Sequence, residues 1–144
     1  MKVIEPCSDQ DFKKYYFLRY AVLRKPWNQP IGSEQDEQEK TSFHRMIVDE
    51  KKNIAIAVGR IQFLSENDAQ IRYMAVLDKY RGRGLGSQIL SNLENISRLH
   101  QRGRVILYAR ENAIEFYESN GYRILEKSYL LFNDIQHWLM EKDL

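Results

Sequence analysis

Apolar positions recur along this chain with two periods, and the changes between them mark ten elements. Val3 and Ile4 make a short strand over residues 2–6, which Pro6 ends. Phe12, Tyr15, Tyr16, Arg19, Tyr20 and Leu23 fall at helical spacing, so residues 9–24 read as an amphipathic helix capped by Ser8 or Asp9. Pro26 and Pro30 stop it. A polar loop follows over residues 26–41 and carries Glu34, Asp36, Glu37 and Glu39, the densest acidic stretch of the protein. Three strand patterns then follow at 43–48, 54–64 and 69–76, joined by short polar turns, and such strands pair antiparallel.

The second half alternates. Leu85, Ile89, Leu93, Ile96 and Leu99 share one face of a helix that begins at Gly84 and ends near Gly103. Residues 105–108 are a strand that returns after a helix and should lie parallel to the strand at 69–76. A helix over 111–120 follows, with Gly121 as its cap. Strands at 122–132 and 135–140 close the chain, joined by a turn at Asn133–Asp134. The order is β-α-β-β-β-α-β-α-β-β: an α/β (α+β) arrangement of about seven strands in a mixed central sheet flanked by helices.

Composition narrows the field. With 144 residues, 43% of them hydrophobic and 29% charged, the chain fits one soluble domain spanning 1–144. A net charge of +2 is too close to neutral to argue for a nucleic-acid partner. The one cysteine, Cys7, rules out a disulfide framework and a cysteine-based zinc site within the chain, and no metal is expected. No run is long enough to span a membrane, and the first residues lack the apolar core of a signal peptide. The expected location is the cytoplasm, with no membrane partner.

Chemistry concentrates in residues 70–88. An apolar strand ends in a turn, then Arg81, Gly82, Arg83, Gly84, Leu85, Gly86 and Ser87 lead into a helix. In this arrangement backbone N–H groups at a helix N-terminus grip a phosphate, and flanking arginines add charge. A Walker A loop would need a Lys that is missing here. A dinucleotide fingerprint would need glycine where Ser87 or Ile89 stands.

What remains, Arg81-x-x-Gly84-x-Gly86, resembles the acyl-CoA pyrophosphate loop of the GNAT superfamily of N-acetyltransferases. A second segment, Asn112, Ala113, Phe116, Tyr117, Gly121 and Tyr122, is similar to that superfamily's other conserved stretch, with one residue fewer between Asn and Ala. The resemblance implies a GNAT fold with a V-shaped splay between the fourth and fifth strands, and acetyl-CoA as cosubstrate. It implies that Arg81, Gly82, Arg83, Gly84, Leu85, Gly86 and Ser87 hold the pyrophosphate. Met74, Ala75 and Val76 would line the pantetheine arm, the Val76 N–H would face the thioester oxygen, and Asn112, Phe116 and Tyr117 would complete the site.

The implied reaction is direct attack of a primary amine on the thioester through a tetrahedral intermediate. The amine must lose a proton, since a lysine-type amine has a pKa of about 10.4. Tyr117 is the candidate general acid for the thiolate, although its spacing also suits a core tyrosine. Glu37 and His44 are candidate bases. The other loop carboxylates, His137 and a water chain are alternatives, and Arg72 and Tyr73 flank the acyl site. The acidic loop hints at a cationic small-molecule or peptide amine. A non-catalytic acyl-CoA-binding or sensor module is the alternative on the same fold, and the last strand or first helix could pair two chains as a homodimer.

Overall fold

A computed structural model describes all of residues 1–144. Its elements are α1 (Asp9–Leu23), β1 (Phe43–Asp49), β2 (Ile54–Phe63), β3 (Asp68–Val76), α2 (Leu85–Leu99), β4 (Arg104–Arg110), α3 (Ile114–Ser119), β5 (Arg123–Leu131) and β6 (Ile135–Asp143). The sheet has six strands in the order β1-β2-β3-β4-β6-β5. Every pairing is antiparallel except β3 with β4.

The expected first strand is a correction. Residues 2–6 make only an isolated bridge between Ile4 and Met46, through the two backbone bonds Ile4 N–H to Met46 O (2.8 Å) and Met46 N–H to Ile4 O (2.9 Å). Past Pro6 the backbone is drawn into the start of α1. Ser8 Oγ accepts from the Asp11 N–H (3.1 Å), and the Asp11 carboxylate accepts from the N–H groups of Cys7 and Ser8. That reciprocal cap fixes the helix start directly after Pro6, and the pairing with β1 is confined to Ile4 and Met46. The last hairpin also differs. Phe132 and Asn133 both take positive φ (54° each), and Asp134 N–H bonds Leu131 O, so the turn centres one residue earlier than expected.

The helices cover opposite faces of the sheet. On one face Leu85, Ile89, Leu93 and Ile96 of α2 pack with Ile47, Ile61, Ile71 and Leu107. On the other, Tyr15, Leu18 and Leu23 of α1 pack with Met46, Val58 and Ala75. Adjacent residues such as Ala57 and Val58 belong to opposite clusters, as the two-residue period of a strand requires.

Two irregularities open the sheet. β3 and β4 pair only at Asp68–Arg104, Ala69–Val105 and Gln70–Ile106, and beyond that point the strands part. Within the parted length β3 carries a bulge. Val58 faces Ala75 and Arg60 faces Arg72, so Gly59 stands opposite both Tyr73 and Met74, and Tyr73 takes a left-handed φ of 56°. An aromatic residue in that region is strained by about 1–3 kcal/mol, and such strain clusters at functional sites. The V-shaped splay therefore lies between β3 and β4, the fourth and fifth strands of the sequence reading.

Candidate active site

The splay opens into two adjoining cavities. The first, of about 580 Å³, is bounded by the tip of β3 (Met74, Ala75, Val76), by the loop and first turn of α2, and by Asn112, Phe116 and Tyr117. The second, of about 330 Å³, lies between the parted strands and reaches Tyr129 and His137 on the last hairpin. Leu23, Met74, Arg110, Ala113 and Tyr117 line both, so the two meet at Tyr117.

The loop before α2 leaves its backbone donors free. Gly82 and Gly84 take φ of +78° and +77°, and Gly84 is the helix N-cap with no side chain capping the first turn. The Arg81 N–H is used by Asp78 O and the Gln88 N–H by Gly84 O. None of the N–H groups from Gly82 to Ser87 donates within the chain. A run of unpaired donors at the positive end of a helix is a receptor for an oxyanion. Gly86 is the point of closest approach: a Cβ there would stand 3.1 Å from Cζ of Phe116. Bare backbone at that position brings α2 and α3 together at the cavity wall.

Eleven of the twelve other residues expected at the cofactor line this first cavity with Arg81; Arg83 does not. Its guanidinium lies over the Tyr80 ring, 5.0 Å from the centroid, and faces a separate groove.

Tyr117 is 7% exposed, and burial raises its hydroxyl pKa well above the ordinary phenol range, partly offset by the charge of Arg110. Its ring packs edge-on against Phe116 and Tyr122, which fix its direction. The hydroxyl thus stays protonated at neutral pH at the junction of the cavities.

Neither expected base reaches the cavity. Glu37 is exposed on the loop. His44 is buried, with Nδ1 2.8 Å from the Tyr15 hydroxyl and Nε2 2.7 Å from Glu39 O, so both ring nitrogens are engaged. His137 is the histidine that does line the cavity. Its Nδ1 lies 3.1 Å from Ile135 O and its ring stacks on Tyr129, with centroids 4.3 Å apart. A carbonyl only accepts, so Nδ1 carries the proton and the neutral ring leaves a lone pair on Nε2. Burial, reinforced by Arg110 and Arg24 although the Ile135 carbonyl opposes them, lowers its pKa.

The acidic loop has a structural role that sequence reasoning missed. Arg19 and Arg60 are both fully buried. Glu39 Oε2 lies 2.8 Å from Nη1 of each, and Asp36 holds Arg60 at 2.6 and 3.0 Å and Arg72 at 3.1 Å. Burial alone would raise the Asp36 pKa, but the Arg60 hydrogen bonds outweigh it and bring it down to about 2. These carboxylates are committed to pinning the loop onto α1 and the sheet. The available signal was an arginine, Arg60, inside the otherwise apolar stretch 54–61 of β2.

Comparison with known proteins follows the same lines. A family model described as "Acetyltransferase (GNAT) domain" matches residues 42–124, more than half of the chain. The uncharacterised N-acetyltransferase YjcF of Bacillus subtilis is 29% identical over 143 residues, covering 99% of this chain and 100% of the relative. Among solved structures, Escherichia coli ElaA superposes with a TM-score of 0.81 at 22% identity, covering 99% of this chain and 97% of that one. An aminoglycoside 6'-N-acetyltransferase complexed with coenzyme A superposes with a TM-score of 0.82 at 14% identity, with the same coverage. At these identities the structural matches speak for the fold.

Proposed function

The chain belongs to the GNAT acetyltransferase family, and from that membership we propose that it moves an acetyl group from acetyl-CoA to a primary amine by direct attack. The observation that carries the reading is the unpaired run of N–H groups from Gly82 to Ser87, which edges a cavity continuous with the β3–β4 splay. The residues fit an anionic thioester. The cavity wall contains Arg81 and no Asp or Glu, and the splay leaves one edge of β3 without a strand partner beyond Gln70.

In this reading the diphosphate rests on the amides of residues 82–87, with Arg81 beside it. The pantetheine arm runs along Met74, Ala75 and Val76, between them and Asn112 and Phe116. The Val76 N–H stabilises the oxyanion of the tetrahedral intermediate. Tyr117, protonated and free of any partner in the chain, protonates the departing thiolate. His137, neutral at pH 7, accepts the amine proton at Nε2, directly or through water, and replaces Glu37 and His44 in that role.

The test is free-thiol release from acetyl-CoA by the purified chain with a panel of amines, followed by mass spectrometry of the product. The reading predicts amine-dependent thiol release and a product heavier by one acetyl group. Thiol release that no amine raises above the rate with acetyl-CoA alone would contradict it and favour the binding-module alternative.

A further inference from the structure

The second cavity is cationic. Arg24, Arg72 and Arg110 line it, together with Tyr129 and His137, and no carboxylate does. Arg72 is paired with Asp36. Arg24 and Arg110 are not paired with any acid. Arg24 donates from Nε to Ser33 O (3.0 Å) and from Nη1 to Leu23 O (3.0 Å), and Arg110 donates from Nη2 to Leu23 O (3.1 Å). Nη2 of Arg24, and Nε and Nη1 of Arg110, have no partner, and none of them is sealed inside the protein. Both side chains are half-buried, packed on the rings of Tyr73, Phe132 and Trp27.

We propose that the acceptor is a small amine that also carries a carboxylate, and that Arg24 and Arg110 hold this carboxylate beside Tyr129 and His137. The proposal rests on the amine-acetylating reading above and names its substrate class.

Four observations converge on it. Two guanidinium groups converge on one pocket wall, both anchored to the same Leu23 carbonyl. Burial first, and then Arg24, lowers the pKa of Arg110 to about 10, and burial lowers that of Arg24. An anion between them removes that repulsion, and paired guanidinium N–H donors match the two oxygens of a carboxylate. The nearby acids are not available for the task, since Asp36 and Glu39 are held by Arg19, Arg60 and Arg72. Size sets the scale: about 330 Å³ equals roughly ten water volumes of ~30 Å³ each, which suits a molecule of amino-acid size. Arg110 also lines the first cavity, so a carboxylate held there leaves the amine within the span between His137 and Tyr117. A polycationic acceptor would meet two arginines without a paired acid, Arg24 and Arg110, and no carboxylate in the cavity wall.

The test is calorimetric titration of the CoA-loaded chain with free amino acids and short ω-amino carboxylates, their primary amides, matching aminoalkylphosphonates and spermidine. Thiol release is measured in parallel with acetyl-CoA. The proposal predicts that at least one amino carboxylate binds tenfold or more tightly than its amide. Arg24→Gln should abolish that preference with CoA affinity unchanged, and Arg24→Lys should retain part of it. Tighter binding of the phosphonates would assign the pocket to phosphorylated amines and overturn the carboxylate. Amides or spermidine binding as well as the carboxylates, or no carboxylate binding at all, would also overturn it, and thiol release with those amines would leave the acetyltransfer reading standing. Carboxylate binding without thiol release would keep this pocket assignment and remove the acetyltransfer reading.

Discussion

Gly86, in the first turn of α2, faces the ring of Phe116 on α3 so closely that a Cβ would lie 3.1 Å from Cζ and 3.2 Å from Cε1. The same residue lies in the run of unpaired amides that edges the first cavity. Helix packing and the proposed ligand capture therefore meet at one atom that is not there. Gly86→Val should push Phe116 into the cavity and weaken acetyl-CoA binding by tenfold or more, while α2 keeps its apolar face on the sheet. Titration calorimetry with acetyl-CoA, beside circular dichroism, checks it. Unchanged affinity would mean that the α2–α3 approach does not shape the site.

Tyr117→Phe removes a hydroxyl that no group in the chain holds, so folding should be little affected. Turnover should fall by at least tenfold, within the range of general acid catalysis, while acetyl-CoA affinity stays nearly constant. Steady-state kinetics beside equilibrium binding separate the two. Equal turnover in the variant would return Tyr117 to the status of a core residue.

His137 must be neutral to act as base. Its folded-state pKa is lowered, by burial first, so activity should rise with pH through a limb that lies below the usual histidine value of about 6.5. His137→Gln should lower turnover about a hundredfold and erase that limb. The same sign governs stability. A histidine with a depressed folded pKa supports folding fully above its unfolded pKa, and this support is lost as pH falls below about 6.5. His44, whose pKa is lowered mainly by burial, adds to the loss. A pH profile of turnover and of urea midpoint, for the wild type and His137→Gln, measures both.

Glu39 is shared by two arginines that have no exposed surface. Glu39→Ala leaves Arg19 without a counter-charge and Arg60 with Asp36 alone, and breaking a buried ion pair from one side costs about 3–5 kcal/mol. The variant should lose about 3 kcal/mol of stability in urea denaturation. A loss below about 1 kcal/mol would show that the loop clamp is worth no more than a surface ion pair.

What could be read from the sequence was local in origin. Gly82 and Gly84 stand where φ is positive, and the second of them is a fixed position of the Arg81-x-x-Gly84-x-Gly86 pattern. The helical and strand periods placed α1, α2 and the strands β1 to β4 within a few residues, because each element buries one face. The elements that failed depended on distant partners. Residues 2–6 have strand residues, but the only partner they find is Met46 of β1, and only at Ile4. The acidic loop looked open to a cationic acceptor until Arg19 and Arg60, one on a helix and one on a strand, closed on it. The proposed acceptor pocket joins Arg24, Arg72, Arg110, Tyr129 and His137 from five separate elements or loops, and no spacing in the sequence announces that meeting.

The most direct measurement is a ¹⁵N NMR titration of the chain with acetyl-CoA that follows the amides of residues 82–87. Diphosphate capture on these donors predicts that they show the largest saturable shifts in the protein, with those of Gly84 and Gly86 among them. Saturation of the chain with acetyl-CoA while those amides stay still would contradict the account.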